Sequence, residues 1–151
     1  MLRLYRICWN VYNPLDPTGA SRTFGRWHVL NQRILYFSSS LALCVLELKA
    51  NSVSFAAIRK GYHYIEAEVD ADRFSIEEVP DSFYVKSWTQ KRELTRDFGD
   101  EWFKNKKSPV LKVRSAVLPT DSNFILNTIH PDFASLKFSK PLRVPLDSRV
   151  Y

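Results

Sequence analysis

An arginine, a tyrosine, a glutamate and a serine stand where a polar group needs a specific reason to be. Arg26 ends a loop in Phe24-Gly25-Arg26-Trp27, Tyr36 sits in the apolar run Arg33–Phe37, and Glu47 follows the apolar stretch Leu41–Leu46. Ser115 closes the run Val110–Ser115 much later in the chain. A guanidinium is a fork of donors shaped for phosphate or carboxylate, and a glycine before it lets backbone approach a ligand closely. A phenol ring can stack on a flat heterocycle. A carboxylate in apolar surroundings is costly unless it is paired or used. Together the four would make a pocket for an anionic, ring-bearing ligand. Each also has a plainer reading: Arg26 stacked on Trp27 or paired with an acid, Tyr36 a core aromatic, Glu47 a buried acid satisfied by an arginine, Ser115 a turn or cap residue.

The elements that must position them follow from pattern. Leu2–Ile7 alternates as an opening strand, with Leu2, Leu4 and Arg6 on one side. Asn13–Phe24, with its prolines and small polar residues, reads as a loop. Arg33–Phe37 is a strand, Ser38–Ser40 supplies an N-cap, and Leu41–Ala50 is the clearest helix. On a wheel of about 100° per residue, Glu47 falls between Leu43 and Cys44, with Lys49 almost opposite. The apolar run predicts a helix buried on most sides, with Glu47 in a cleft. Tyr62–Val69, Arg73–Val79, Phe83–Ser87, Val110–Ser115, Asn123–Asn127 and Ala134–Ser139 read as strands, and Gln90–Lys104 as a helix broken at Gly99. The fold class is α+β: one domain over 1–151, a mixed β-sheet core with flanking helices.

Bulk properties bound the function. A chain of 151 residues buries roughly 68–70% of its unfolded surface. No apolar run approaches the roughly 20 residues of a membrane span, and MLRLYRICWN turns polar too soon for a secretion signal, so the expected setting is cytoplasmic. Cys8 and Cys44 lie among apolar neighbours and are expected reduced and buried. A net charge of +6 attracts nucleic acid, nucleotides or an acidic partner without choosing among them. Lys104, Lys106 and Lys107 read as a solvated helix end.

Several chemistries lack their signatures. His28, His63 and His130 have no metal-type spacing to each other or to the cysteines, so no metal is expected. Four glycines leave no phosphate-binding loop or dinucleotide fingerprint, and no Gly-x-Ser-x-Gly elbow surrounds Ser115. The four tryptophans and many basic residues leave one alternative open, a nucleic-acid-binding module without catalytic activity.

These segments, taken in order, resemble the RES domain family, the toxin half of bacterial Xre–RES type II toxin–antitoxin pairs. The likeness runs from Leu4-Tyr5-Arg6-Ile7 through Gly25-Arg26-Trp27, Ile34-Leu35-Tyr36 and Leu46-Glu47. It resumes at Gly99-Asp100-Glu101-Trp102, Leu111–Pro119 and Asn123–Asn127, and ends near Asp147-Ser148-Arg149. The chain departs from the family pattern at His28, where an asparagine is usual, and at Arg114 and Thr128, where prolines are usual.

The resemblance implies a fold similar to ADP-ribosyltransferase toxins and an enzyme that splits the nicotinamide–ribose bond of NAD. NAD is then the substrate and no further cofactor is required. Water, phosphate or a protein side chain would be the acceptor. By the same resemblance Glu47, Arg26 and Tyr36 are catalytic, and Arg26, Tyr36, Ser115 and Trp27 bind NAD. Glu47 would stabilise an oxocarbenium-like ribose, Arg26 hold the pyrophosphate, Tyr36 stack on nicotinamide, and Ser115 hydrogen-bond ribose or phosphate. The implied partner is an Xre-type antitoxin, which would carry the DNA contact, leaving this chain with none. A folded but inactive family member is a third reading, for which His28 and Arg114 leave room.

Overall fold

One sheet of eight strands organises the molecule, and its one weak seam matters most. The computed structural model describes Met1–Tyr151. In chain order the elements are β1 (Leu2–Trp9), α1 (Thr18–Ser21), β2 (Ile34–Ser38), α2 (Leu41–Ala50), α3 (Phe55–Gly61), β3 (Tyr62–Val69) and β4 (Ile76–Glu78). Then come α4 (Arg92–Asn105), β5 (Val110–Arg114), β6 (Ser122–Asn127), β7 (Lys137–Phe138) and β8 (Leu142–Arg143). The sheet runs β4-β5-β6-β2-β1-β3-β7, with β8 also on β3, and only β4–β5 is parallel. β1 pairs with β3 along its whole length, from Leu2↔Val69 to Trp9↔Tyr62. With β2 it shares only the register pair Tyr5↔Ser38. Beyond that pair the strands part, and a cleft opens between them.

Period-two alternation sends side chains to two cores. Leu35, Phe37, Phe124 and Leu126 join Leu4, Ile65 and Val69 on one side. Ile34 and Ile125 join Trp27, Trp88, Trp102 and Phe103 on the other, under α4. α2 begins where the sequence places it: Ser40 Oγ accepts from Leu43 N at 3.0 Å. Such a cap is worth about 1 kcal/mol.

Several elements differ from expectation. α2 is not buried on most sides: Leu43 and Cys44 are covered, but Ala42 is exposed and Leu46 is 38% exposed. The helix leans on β1 and β2 with one face only. α4 passes unbroken through Gly99, whose missing side chain is explained by packing: an added Cβ would lie 1.7 Å from the Trp27 carbonyl oxygen. Phe83–Ser87 is not a strand but a turn between two 3-10 segments, with Ser87 at φ 61°. There Phe83, Tyr84 and Trp88 gather on the Trp27 ring, which a straight strand could not achieve. Of Arg73–Val79 only Ile76–Glu78 pairs, because Asp70 carbonyl turns the chain through Arg73 and Phe74. Of Ala134–Ser139 only Lys137–Phe138 pairs. α3, capped by Ser54, and the short α1 inside the expected loop carry too few apolar positions to stand out.

Candidate active site

The parted strands expose a cleft of about 280 Å³ lined by Arg6, Tyr36, Ser38, Cys44, Glu47 and Asn123, among others. Glu47 enters from α2, and its anchoring is specific. Ser115 Oγ donates to Glu47 Oε1 at 2.7 Å, and Asn123 Nδ2 donates to the same oxygen at 2.8 Å. Ser115 Oγ also accepts the backbone N–H groups of Val117 and Leu118, so its single proton is committed to Glu47. Ser38 Oγ donates to Asn123 Oδ1 at 2.7 Å, which turns the Asn123 amide group towards the carboxylate. Glu47 Oε2 receives no protein hydrogen bond, so one carboxylate oxygen is fixed and the other is left for a ligand. The plain reading of Glu47 as an acid satisfied by arginine gives way: its partners are a hydroxyl and an amide.

Tyr36 stands on β2 with its ring in the cleft wall and its hydroxyl tied behind it. The hydroxyl lies 2.7 Å from His28 Nδ1 and accepts Trp27 N–H at 3.3 Å. His28 Nε2 meets the Ala20 carbonyl at 2.8 Å, so Nε2 carries the proton and Nδ1 accepts from Tyr36. Burial pushes the Tyr36 phenol well above its ordinary value, so it stays neutral. Gly25 makes room for this pair, since a Cβ there would meet the His28 ring at 2.3 Å and Tyr36 Oη at 2.7 Å.

Two arginines bear on the carboxylate: Arg6 lines the cleft with it, and Arg26 lies within its field without lining the cleft. Arg26 donates one N–H to the Thr89 carbonyl at 2.7 Å, and its own carbonyl accepts from the Thr95 hydroxyl. Burial lowers the Arg26 pKa first and Arg92 lowers it further, while Glu47 and Tyr36 raise it. It remains a cation within the field of Glu47. Arg96 Nε donates to the Gly25 carbonyl at 2.8 Å. From the opposite wall Arg6 Nε donates to the Pro14 carbonyl at 2.7 Å and its Nη1 to the Tyr36 carbonyl at 3.2 Å. Arg6 shares its strand face with Leu4 of the other core, and it reaches the cleft because β1 and β2 have separated there. Burial pushes the Cys44 thiol up to about 11, so that thiol is a neutral donor, to the Tyr5 carbonyl, and not a nucleophile.

The sequence profile of the RES domain family matches residues 3–147. The chain belongs to the RES domain family. A Prs ADP-ribosylating toxin of Sphingobium sp. is 28% identical over 90% of this chain and 86% of that one. The protein called Toxin Res of Pseudomonas putida is 26% identical over 96% and 99%. Its namesake of Photorhabdus laumondii is 28% identical over 97% and 96%. A chain of the M. tuberculosis MbcT–MbcA toxin–antitoxin complex shares the fold, with a TM-score of 0.71 at 15% identity over 94% of this chain and 83% of that one. The α+β fold class is that of this structural relative.

In this RES domain Arg26, Tyr36, Glu47 and Ser115 do come together, but not all as ligand contacts. Ser115 is fully buried behind Glu47, so its hydroxyl orients the carboxylate and does not reach the cleft. Trp27 is 2% exposed, with Phe83, Tyr84, Trp88 and Phe98 packed around its ring, and it does not line the cleft. Trp88 and Trp102 are also buried, so of the four tryptophans that the nucleic-acid alternative draws on only Trp9, 50% exposed, is at the surface. Sequence reasoning assigns no place in the site to Arg6, Ser38, Asn123, Arg92 or Arg96. An arginine on the apolar side of β1 was the one available signal. Cys8 and Cys44 are both free thiols, with Cys8 only half-buried. No helix is long and apolar enough to cross a membrane.

Proposed function

We propose that this RES domain is the toxin of a toxin–antitoxin pair and consumes NAD by breaking the bond between nicotinamide and ribose. The observation that carries the reading is Glu47: one oxygen pinned by Ser115 and Asn123, the other free, in a cleft that Arg6 also lines and with Arg26 within its field. Nicotinamide leaves as a neutral base, taking the electron pair of the C–N bond, so no strong general acid is needed. The positive charge left on the ribose is what a fixed carboxylate can stabilise before it has moved at all. The acceptor then bonds to the anomeric carbon of that ribose, C1″ of the ADP-ribose product, and a proton it carries passes to solvent. Arg26, with Arg92, Arg96 and Arg6 nearby, supplies charge for the pyrophosphate. Tyr36 offers its ring face to a flat heterocycle, its hydroxyl being occupied behind. Ser115 and Asn123 act through Glu47.

The relatives' names, an ADP-ribosylating toxin among them, support chemistry on NAD, and the toxin–antitoxin complex supports an antitoxin as partner. Water, phosphate and a protein side chain are all chemically competent acceptors at such a site. Incubating the purified protein with NAD, with and without phosphate, separates ADP-ribose, ADP-ribose 1″-phosphate and modified protein. Full NAD consumption by Glu47→Gln or Arg26→Ala would overturn the assignment.

A further inference from the structure

A second concavity lies at the far end of β1, along the β3–β8 edge. At about 610 Å³ it has more than twice the volume of the Glu47 cleft, and the two share no lining residue. Arg59, Lys60, His63 and Arg143 line it with Asn10 and Tyr62, and no carboxylate does. The ion pairs of the molecule engage Arg3, Lys104, Lys112, Arg114, His130 and Arg149, none of them in this cleft. Asp147, whose field reaches Arg59, is hydrogen-bonded to Arg149 instead. Arg59, Lys60 and Arg143 thus line one cleft that has no carboxylate in its walls, so an anion entering it would meet cations from three directions of the chain with no competing acid.

The donors are set in a frame. Cys8, His63 and Arg143 stand in one row across β1, β3 and β8, because Cys8↔His63 and His63↔Arg143 are register partners. The Cys8 sulfur lies 3.1 Å from His63 Nε2, and burial keeps that thiol protonated. His63 Nδ1 has no protein hydrogen bond and is the ring nitrogen left for a ligand. Arg59 is held by the Asp147 and Val150 carbonyls of the C-terminal segment. A single phosphate would fill little of this space, whereas the volume lies within the roughly 300–1,000 Å³ of small-molecule sites. Tyr62 adds an aromatic wall.

We infer that the cleft between β3, β8 and the end of α3 binds a phosphate monoester of nucleotide size, at a site separate from the Glu47 cleft. The inference stands independently of the NAD reading. Its test is titration of AMP, and separately of inorganic phosphate, into the full-length protein, the double variant Lys60→Glu/Arg143→Glu, and Arg26→Ala. Lys60 and Arg143 are exposed and unpaired, so the double variant should keep its melting temperature. Expected are saturable AMP binding at least tenfold tighter than phosphate, at least tenfold weakening in the double variant, and no change in Arg26→Ala. NAD consumption by the double variant should stay unchanged, which keeps this test apart from that of the Glu47 cleft. In the unaltered protein, AMP should move the His63 ring proton resonances. No saturable binding, equal affinity for phosphate and AMP, unmoved His63 resonances, or loss of binding only in Arg26→Ala would each overturn the inference.

Discussion

Glu47 and Arg26 lie within each other's field on supports of different kinds. Glu47 is borne by a capped helix and pinned by two side chains from β5–β6, one of them held in turn by two backbone amides and the other by Ser38. Arg26 leaves a loop and is tethered by one N–H to one carbonyl. Its position depends on α4 being seated against Trp27. The carboxylate side is thus preorganised, as a group that meets developing charge must be, since any reorganisation during the reaction subtracts from its effect. On the proposed reading the guanidinium side has only to follow a mobile, multiply charged ligand, and there a looser hold costs little.

The contrast predicts where substitutions act. Glu47→Gln keeps the shape and the Ser115 contact but removes the charge, and should lower kcat about a hundred- to a thousandfold with little change in KM. Ser115→Ala removes one charge-assisted hydrogen bond and frees two backbone amides, a loss of about 1.5–3 kcal/mol, so kcat should fall about ten- to a hundredfold. Asn123→Ala should lower it similarly, and the double variant should cost less than the sum, because both donors serve one oxygen. Additive losses would mean that the two do not share the task of holding Glu47. Gly99→Ala tests the other support. Its Cβ meets main chain, not a movable side chain, so α4 must shift. A loss of about 1–3 kcal/mol in denaturant unfolding is expected, together with a raised KM for NAD as Arg92, Arg96 and Arg26 are displaced. A changed kcat at constant KM would contradict the division between the two supports.

That division was only partly legible in the sequence. The Ser40 cap and the apolar spacing of α2 placed Glu47 on the covered side, since capping and helical period are local properties. Tyr36 was legible as a strand residue for the same reason. Ser38 and Asn123 were not, because their role arises from the register Ser38↔Asn123 between strands 85 residues apart, which no local pattern encodes. Arg6 was read as part of a strand face, and its use depends on β1 and β2 parting after one register pair. Trp27 went the other way. Its place beside Arg26 made it look like a ligand contact, while the aromatic residues that bury it come from Phe83 to Phe98. The turn at Phe83–Ser87, misread as a strand, exists to deliver some of them.

The smallest expected effect concerns His28, which joins the two supports by holding Tyr36 from behind. Burial lowers its pKa below the ordinary value near 6.5, against the opposing pull of the Ala20 carbonyl. At pH 7 the ring is neutral and Nδ1 accepts the Tyr36 hydroxyl. As pH falls through the lowered value, a proton on Nδ1 sets donor against donor, and Tyr36 loses its acceptor. The unfolded chain takes up that proton first, because its histidine titrates near 6.5. The contribution of His28 to stability is therefore complete above about pH 6.5 and is lost as pH drops through the folded value. NAD consumption should stay level from about pH 8 down through 6.5 and decline only as pH falls through the lowered value, by no more than about tenfold per pH unit for one proton. The informative measurement is a difference: the profile of the protein against that of His28→Asn. An amide can accept from the Tyr36 hydroxyl without a proton equilibrium, and should extend the level region to lower pH. Superimposable profiles would mean that the hold on Tyr36 has no bearing on turnover, and that the carboxylate side alone sets the rate.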